Sequence, residues 1–227
     1  MPVKQIARAV DVSLSSVSVW VRDIEVSSEQ QALNRARAGA VRGKAWRKRH
    51  RETRRTYQQE GRARARFGEP LHLAGCMLYW AEGSKGRNTA QFANSDAAML
   101  RLFKRFTSEC FDLEDERFSF KINVYTTNDL SIAEVEDYWL DILGLPRASM
   151  RKHVLNHLPT SSSGSRPNKL PYGVCTLSIM RSTRIVQHIY GAIQEYAAFD
   201  EPRWLDGPPA KQRRIEPTVA PQAPPLQ

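Results

Sequence analysis

The sequence is poor in cysteine and has no long hydrophobic run. Its three cysteines, Cys76, Cys110 and Cys175, stand far apart among apolar residues. That spacing excludes a Cys-x-x-C motif and favours small core residues in a reducing compartment. No run of about 18 apolar residues occurs, so no membrane span is expected. The N-terminus also lacks the apolar segment of a signal peptide, and a cytoplasmic location is predicted, in a bacterium or in an agent that infects one.

Acidic residues are nearly absent from one stretch of the chain. The whole sequence has 34 Lys and Arg, 24 Asp and Glu, and a net charge of +10. Residues 35–66 contain 13 basic and 2 acidic residues, which leaves 21 basic and 22 acidic residues elsewhere. Because the excess charge is confined to one stretch, it indicates a polyanionic partner and not a general need for solubility.

Composition divides the chain into four segments. Residues 1–30 are predicted to form a compact helical unit, and residues 31–69 a basic helical arm rich in Ala and Arg. Residues 70–199 alternate helical and strand patterns with an ordinary apolar content, which predicts an α+β domain. Residues 200–227 contain six prolines after Gly207, and this composition predicts a disordered tail.

Residues 4–24 carry the pattern of two short helices joined by a turn. The first helix is predicted over Lys4–Val10 and the second over Leu14–Ile24. Ser13 is the predicted N-cap of the second helix, because its hydroxyl can accept a hydrogen bond from a first-turn N–H. Apolar residues spaced by three and four predict one buried face on this helix, formed by Val17, Trp20, Val21 and Ile24.

This pattern resembles the helix-turn-helix of bacterial resolvases and regulators, through Ile6-Ala7, Val12-Ser13, Val17 and Trp20. Asp11 stands where that family usually has glycine, so a left-handed backbone is expected there. The resemblance implies that the second helix enters the major groove of DNA. The side chains that would contact base edges or phosphates are Ser15, Ser16, Ser18 and Arg22.

The alternative for this unit is a plain helical hairpin that packs on the larger domain. Only three residues precede its first helix, so the third helix that normally completes such a unit is missing or must come from elsewhere. The basic arm is the expected supplier of that helix.

The basic arm is predicted to be helical because Ala, Arg and Gln favour helix. Its charges would surround the helix and repel one another, and a polyanion would relieve that repulsion. A solvated spacer between two domains is the alternative, and the arm alone does not distinguish DNA from RNA. The predicted phosphate contacts are Arg35, Arg42, Lys44, Arg47, Lys48, Arg49, Arg51, Arg54 and Arg55.

The α+β segment opens with an apolar helix over Leu71–Gly83, predicted to be buried on all sides. The helix ends in Glu82, and a carboxylate there opposes the helix dipole. Glu82 is therefore expected to meet a cation, a basic partner or a structural ion pair. A strand-to-helix junction follows at residues 91–96, with Asn94 or Ser95 as the predicted cap. Later helices are predicted over 96–111, 132–143 and 182–196, and strands over 118–125, 150–155 and 172–179.

The helix over Gly75–Gly83 resembles the one that names the LAGLIDADG homing endonucleases, with Ala81-Glu82-Gly83 in place of the closing Ala-Asp-Gly. The resemblance covers about residues 70–199 and implies a LAGLIDADG-like mixed α/β domain. It also implies that Glu82 from two paired copies holds Mg²⁺, which activates water for phosphodiester hydrolysis. One such helix per chain would require a homodimer. Gln91 and Lys121 are weaker catalytic candidates, as residues that orient water or balance charge.

Further phosphate contacts are predicted at Arg151, Lys152, Arg166 and Lys169, with ordinary surface charge as the alternative. His153 and His157 have a metal-like spacing, but no third ligand is evident and zinc is disfavoured.

Together these features predict a protein that binds double-stranded DNA, as a regulator or a mobile-element protein. Several bacterial regulators resemble the LAGLIDADG fold without cleaving DNA. The alternatives are a homodimeric Mg²⁺-dependent endonuclease and, less favoured, an RNA-binding protein.

Overall fold

A computed structural model of the chain describes residues 3–24, 26–125, 130–156 and 170–206. The chain forms two compact units, residues 1–50 and residues 51–227. The boundary lies inside one long helix, α3 (Ser28–Ala65), and not at either end of the predicted basic arm.

The first unit contains α1 (Val3–Ala9), α2 (Leu14–Trp20) and the first half of α3, residues 28–50. Asp11 has a φ of 53°, which confirms the expected left-handed turn between α1 and α2. Ser13 caps α2 as predicted, since its hydroxyl oxygen accepts a hydrogen bond from the Ser16 N–H at 3.1 Å. The turn chemistry was therefore predictable from local residues alone.

The predicted buried face of α2 is largely wrong. Val17 is buried, but Trp20 is 61% and Ile24 is 63% exposed. One reason is that α2 ends at Trp20, so Ile24 lies beyond the helix. The other is that the first half of α3 does not supply the missing third helix, because nearly all of its side chains are exposed. A helix with cations on every side has no apolar face with which to cover α1 and α2.

The second unit has the predicted α+β class and element order. After the second half of α3 (residues 51–65) come α4 (Pro70–Glu82), β1 (Ala90–Asn94), α5 (Ala97–Phe111), β2 (Phe118–Val124), α6 (Ile132–Leu143), β3 (Val154–Leu155), β4 (Val174–Ile179), α7 (Thr183–Tyr196) and α8 (Pro202–Asp206). The last helix lies in the predicted tail. Residues 207–227 are outside the described residues, as are Arg166, Lys169 and His157.

The four strands form one sheet in the order β1-β4-β2-β3. Strand β4 is antiparallel to β1 and β2, and β3 runs parallel to β2. Burial alternates along β1 and β4, as the period of two requires, and along β2 from Phe120 onward, whereas the first three residues of β2 are all buried. Phe92, Leu177 and Phe120 are buried, whereas Gln91 and Lys121 are exposed. One face of the sheet therefore packs against helices and the other is more open to solvent.

Helix α5 begins one residue later than predicted, and its cap differs. The Asp96 carboxylate accepts hydrogen bonds from the N–H groups of Ala98 and Met99, so Asp96 is the cap and not Asn94 or Ser95. Asn94 instead accepts a hydrogen bond from the Asp96 N–H at 2.9 Å and supports the turn.

Helix α4 is not buried on all sides. Its face with Cys76 and Tyr79 is buried, but Leu73 and Trp80 are each 39% exposed. Gly75 allows α5 to pack closely, because a Cβ there would lie 2.0 Å from the Phe106 ring. The apolar composition of α4 therefore serves one buried face and leaves a second apolar face partly exposed, on which Trp80 stacks on Phe199 with ring centroids 5.5 Å apart.

All three cysteines are buried and unpaired, as predicted. Burial raises the pKa of the Cys76 thiol, and raises the pKa of Cys175 to about 12. These thiols are consequently poor nucleophiles at neutral pH.

A pair of buried histidines joins α4 to α7. The Nε2 atoms of His72 and His188 lie 3.0 Å apart, and His72 Nδ1 lies 2.8 Å from the Tyr196 hydroxyl oxygen. Only one proton fits between the two Nε2 atoms, so the bond requires at least one neutral ring. Burial lowers the pKa of His72 to about 4 and that of His188 to about 3.

We expect this histidine pair to make the second unit acid-sensitive. Unfolded histidine takes up a proton below about pH 6.5, whereas the buried pair stays neutral until about pH 4. The contribution of the neutral histidine pair to the free energy of unfolding is complete above about pH 6.5. It is lost as the pH falls toward the pKa values of the folded state. The free energy of unfolding should fall by up to about 1.4 kcal/mol per pH unit per histidine.

Urea unfolding between pH 7 and pH 4 measures this slope. The His188→Gln variant should have a shallower slope, and His50→Gln, which changes an exposed histidine, should keep the wild-type slope. An unchanged slope in His188→Gln would contradict the assignment.

Candidate nucleic-acid interface

The first half of α3 is an exposed polycationic helix. No acidic residue occurs between Glu29 and Glu52, and residues 35–49 of this stretch contain seven basic residues. All seven are exposed: Arg35, Arg37, Arg42, Lys44, Arg47, Lys48 and Arg49. Among the described residues, three of these side chains form no salt bridge: Arg42, Lys44 and Lys48. The predicted phosphate contacts of this half are thus presented to solvent.

Trp46 stands within this basic surface, and sequence reasoning gave it no role. It is 63% exposed and its ring centroid lies 4.1 Å from that of His50. An exposed aromatic ring among cations can stack on a nucleic-acid base or sugar. The available signal was an aromatic residue inside a run of basic residues with no apolar partner at helical spacing.

The arginines in the second half of α3 are in a different situation. Arg51 pairs with Asp206 at 2.5 Å and Arg64 with Glu69 at 2.8 Å, and Arg66, directly after the helix, pairs with Glu195 at 2.7 Å. These acids are 5 to 155 residues away in sequence. Composition therefore overstated the charge that this half presents to a partner.

Two of the predicted phosphate contacts, Arg51 and Arg54, are engaged by the chain itself. Arg54 is 9% exposed and its Nε donates a hydrogen bond to the Leu205 carbonyl at 3.0 Å. Arg55 is exposed, and its predicted phosphate contact stays a prediction. The sequence could not separate these cases, because the partners are supplied by α8.

The serines of α2 form a local hydroxyl cluster. The Ser13 hydroxyl lies 2.7 Å from that of Ser15 and 2.9 Å from that of Ser16, and Ser18 donates to the Leu14 carbonyl at 2.9 Å. Ser15 and Ser18 remain exposed. Arg22, predicted on the same helix, is exposed but follows the end of α2.

Glu82 is the exposed last residue of α4. Gly83 forms an antiparallel bridge with Phe92, and the Ser84 N–H donates to the Gln91 carbonyl at 2.9 Å, which brings the end of α4 against β1. Lys85 Nζ donates to the Trp80 carbonyl at the same helix end. Lys85 therefore offsets the helix dipole, whereas Glu82 forms no ion pair in the described part of the chain.

The described residues of one chain do not form a metal site. They include no group of three or more His, Cys, Asp or Glu side chains that could hold an ion. Gln91 pairs with Ser178 and Lys121 with Thr176, so the two weaker catalytic candidates lie on strands separated by β4. A Mg²⁺ site at Glu82 would need carboxylates from a second copy.

His153 links β2 to α6. Its Nδ1 accepts a hydrogen bond from the Ile122 N–H at 3.1 Å, and its Nε2 lies 3.1 Å from a Glu136 carboxylate oxygen. The neighbouring Arg151 and Lys152 are exposed beside β2, and the Arg151 N–H donates to the Phe120 carbonyl at 2.8 Å.

No helix among the described residues is both long enough and apolar enough to cross a membrane. Comparison with known proteins found no matching family model, no curated protein and no solved structure.

Proposed function

We propose that this protein binds double-stranded DNA through the first half of α3, as a regulator or a mobile-element protein in the cytoplasm. The carrying observation is the exposure of seven cations on residues 35–49, a stretch whose sequence contains no acidic residue. At a rise of about 1.5 Å per residue this stretch is roughly 20 Å long, the length of several phosphates along a duplex. Phosphate binding would relieve the mutual repulsion of these charges.

The helix-turn-helix pattern supports duplex DNA as the polyanion. The left-handed turn at Asp11 and the Ser13 cap give α1 and α2 the local geometry that such a pattern requires. Ser15, Ser18 and Arg22 are exposed on or just after the second helix of that pair. An RNA-binding protein would use the arm and have no need for this turn, so competition between duplex DNA and RNA of equal length distinguishes the two functions.

The partly exposed apolar face of α4 supports self-association. Leu73, Ala74, Trp80 and Ala81 are exposed at helical spacing, and the row ends at Glu82. Two copies packed along this face would bury apolar area and bring two Glu82 carboxylates together. This arrangement favours, as a second candidate function, a homodimeric Mg²⁺-dependent DNA endonuclease.

Plasmid incubation with Mg²⁺ tests the second candidate, with a gel shift on the same DNA. If the protein is an endonuclease, wild type nicks or cuts the plasmid and Glu82→Gln loses at least a hundredfold in rate, because Glu82 would be the carboxylate that each copy contributes to the metal. Glu109→Gln, which removes an exposed acid on α5, is the matched control. Binding without cleavage by all three proteins would favour a regulator.

A further inference from the structure

Three arginines of the second unit converge on the end of α8. The Arg51 guanidinium group binds the Asp206 carboxylate in a bidentate manner. Its Nε donates to Oδ1 at 2.5 Å and its Nη2 donates to Oδ2 at 3.2 Å. Arg54 Nε donates to the Leu205 carbonyl at 3.0 Å, and Arg87 Nη1 donates to the Asp206 carbonyl. Three guanidinium groups thus lie at the end of α8, and of these three Arg51 is the one that contacts the Asp206 carboxylate.

The cluster has more positive charge than Asp206 can neutralise. Burial, followed by the charge of Arg87, lowers the pKa of Arg54, which indicates that like charges act on one another here. The hydrogen bond from Arg51 lowers the pKa of Asp206, so this carboxylate is ionised at neutral pH. Glu52 is the other acid that acts on Arg51, and it contributes less than Asp206.

The surrounding residues hold this cluster in a fixed geometry. Gln187 Nε2 donates to the Arg87 carbonyl at 2.7 Å and to the Trp204 carbonyl at 3.2 Å, which ties Arg87 to α8. Trp204 stacks on Tyr190 with ring centroids 4.7 Å apart. Preorganised guanidinium groups bind phosphate in a bidentate manner, and a carboxylate competes for the same fork.

The cluster is accessible at Arg51 and Asp206, whereas Arg54 is buried. The Arg51 and Asp206 side chains are 42% and 46% exposed, so a phosphate from solvent can reach the fork that Asp206 occupies. We propose that Arg51, Arg54 and Arg87 form a second binding site for a nucleic-acid phosphate, and that Asp206 is a built-in competitor that weakens it. This inference rests on the proposed DNA binding and adds a regulating residue to it.

The Asp206→Asn variant tests the inference in a DNA-binding titration over a range of salt concentrations. It should bind a duplex about tenfold more tightly than wild type, with a salt slope steeper by about 0.9, the value for one additional phosphate contact. Asp200→Asn is the matched control, because Asp200 pairs with Arg62 and its loss changes the net charge equally. The control should change affinity less than twofold. Adding Arg87→Gln to Asp206→Asn should remove the gain.

Equal gains in the Asp206 and Asp200 variants would indicate a general charge effect and overturn this inference, while leaving the proposed function intact. No DNA binding by wild type would instead refute the proposed function. The cluster is then tested with inorganic pyrophosphate, followed by NMR of the arginine Nε–H groups. Pyrophosphate should shift the Arg51 and Arg54 signals of Asp206→Asn, and the absence of any shift would overturn the inference. If Asp206→Asn is unstable, Arg87→Gln alone should weaken DNA binding about threefold.

Discussion

Replacing Arg42, Lys44, Arg47 and Lys48 together by glutamine should weaken binding to duplex DNA by about a hundredfold at 0.1 M salt. These four side chains are exposed on the first half of α3. Each phosphate contact that is lost reduces counterion release, so the slope of log K against log salt should become shallower by about 0.9 per contact. Glutamine is nearly as good a helix former as arginine and lysine, and the helix itself should persist.

A second fourfold variant separates the arm from total charge. Arg101, Arg105, Arg184 and Arg203 are exposed cations of the second unit, and their replacement by glutamine lowers the net charge by the same amount. Their surface ion pairs contribute little to stability. The affinity of both variants for duplex DNA is measured by fluorescence anisotropy. The control should bind the duplex within a few-fold of the wild-type affinity. A similar loss in both variants would mean that the polyanion responds to net charge and that the first half of α3 is not the binding surface.

Elements with complete local signals were predictable from the sequence. Helix α6 is an example, because Ser131 and Glu134 form a capping box at its start and Gly144 adopts the left-handed conformation at its end, with a φ of 59°. Strand β4 is another, because its alternating pattern matches its alternating burial. In each case the residues that decide the structure are near neighbours in the chain, so no tertiary contact is needed to recognise them.

Features that depend on distant partners were not predictable. The sequence gives α4 an apolar composition all round, but which face is covered depends on where α5 and α7 lie. Likewise, Arg51 and Arg42 look equivalent in the sequence, because both belong to one basic run. They differ in the folded chain because Arg51 forms an ion pair with Asp206. The same limit applies to Trp20, whose burial was expected from a third helix that the first half of α3 does not provide.

Substituting alanine for Gly61 should destabilise the second unit by about 3 kcal/mol, or lower its unfolding temperature by roughly 10 °C. A Cβ at Gly61 would lie 1.9 Å from the His188 carbonyl oxygen, and one at Gly191 would lie 2.0 Å from the Gln58 carbonyl oxygen. Because these obstacles are backbone atoms, a rotamer change cannot relieve them. The α3 and α7 backbones must therefore separate, which also strains the buried hydrogen bond from Gln58 Nε2 to Gln187 Oε1, 2.8 Å long.

Gly39→Ala is the matched control on the same helix. Nothing lies within 4 Å of a Cβ at Gly39. Alanine there should therefore stabilise the helix by up to about 1 kcal/mol, and the unfolding temperature should not fall. Thermal unfolding followed by circular dichroism at the helical band distinguishes the two substitutions. The double variant Gly61→Ala, Gly191→Ala should cost less than the sum of its single variants, since either methyl group already separates the helices. Additive losses, or a Gly61→Ala variant as stable as wild type, would mean that α3 is not packed on α7 through these glycines and that Arg51 and Arg54 are free to serve as ordinary surface charges of the arm.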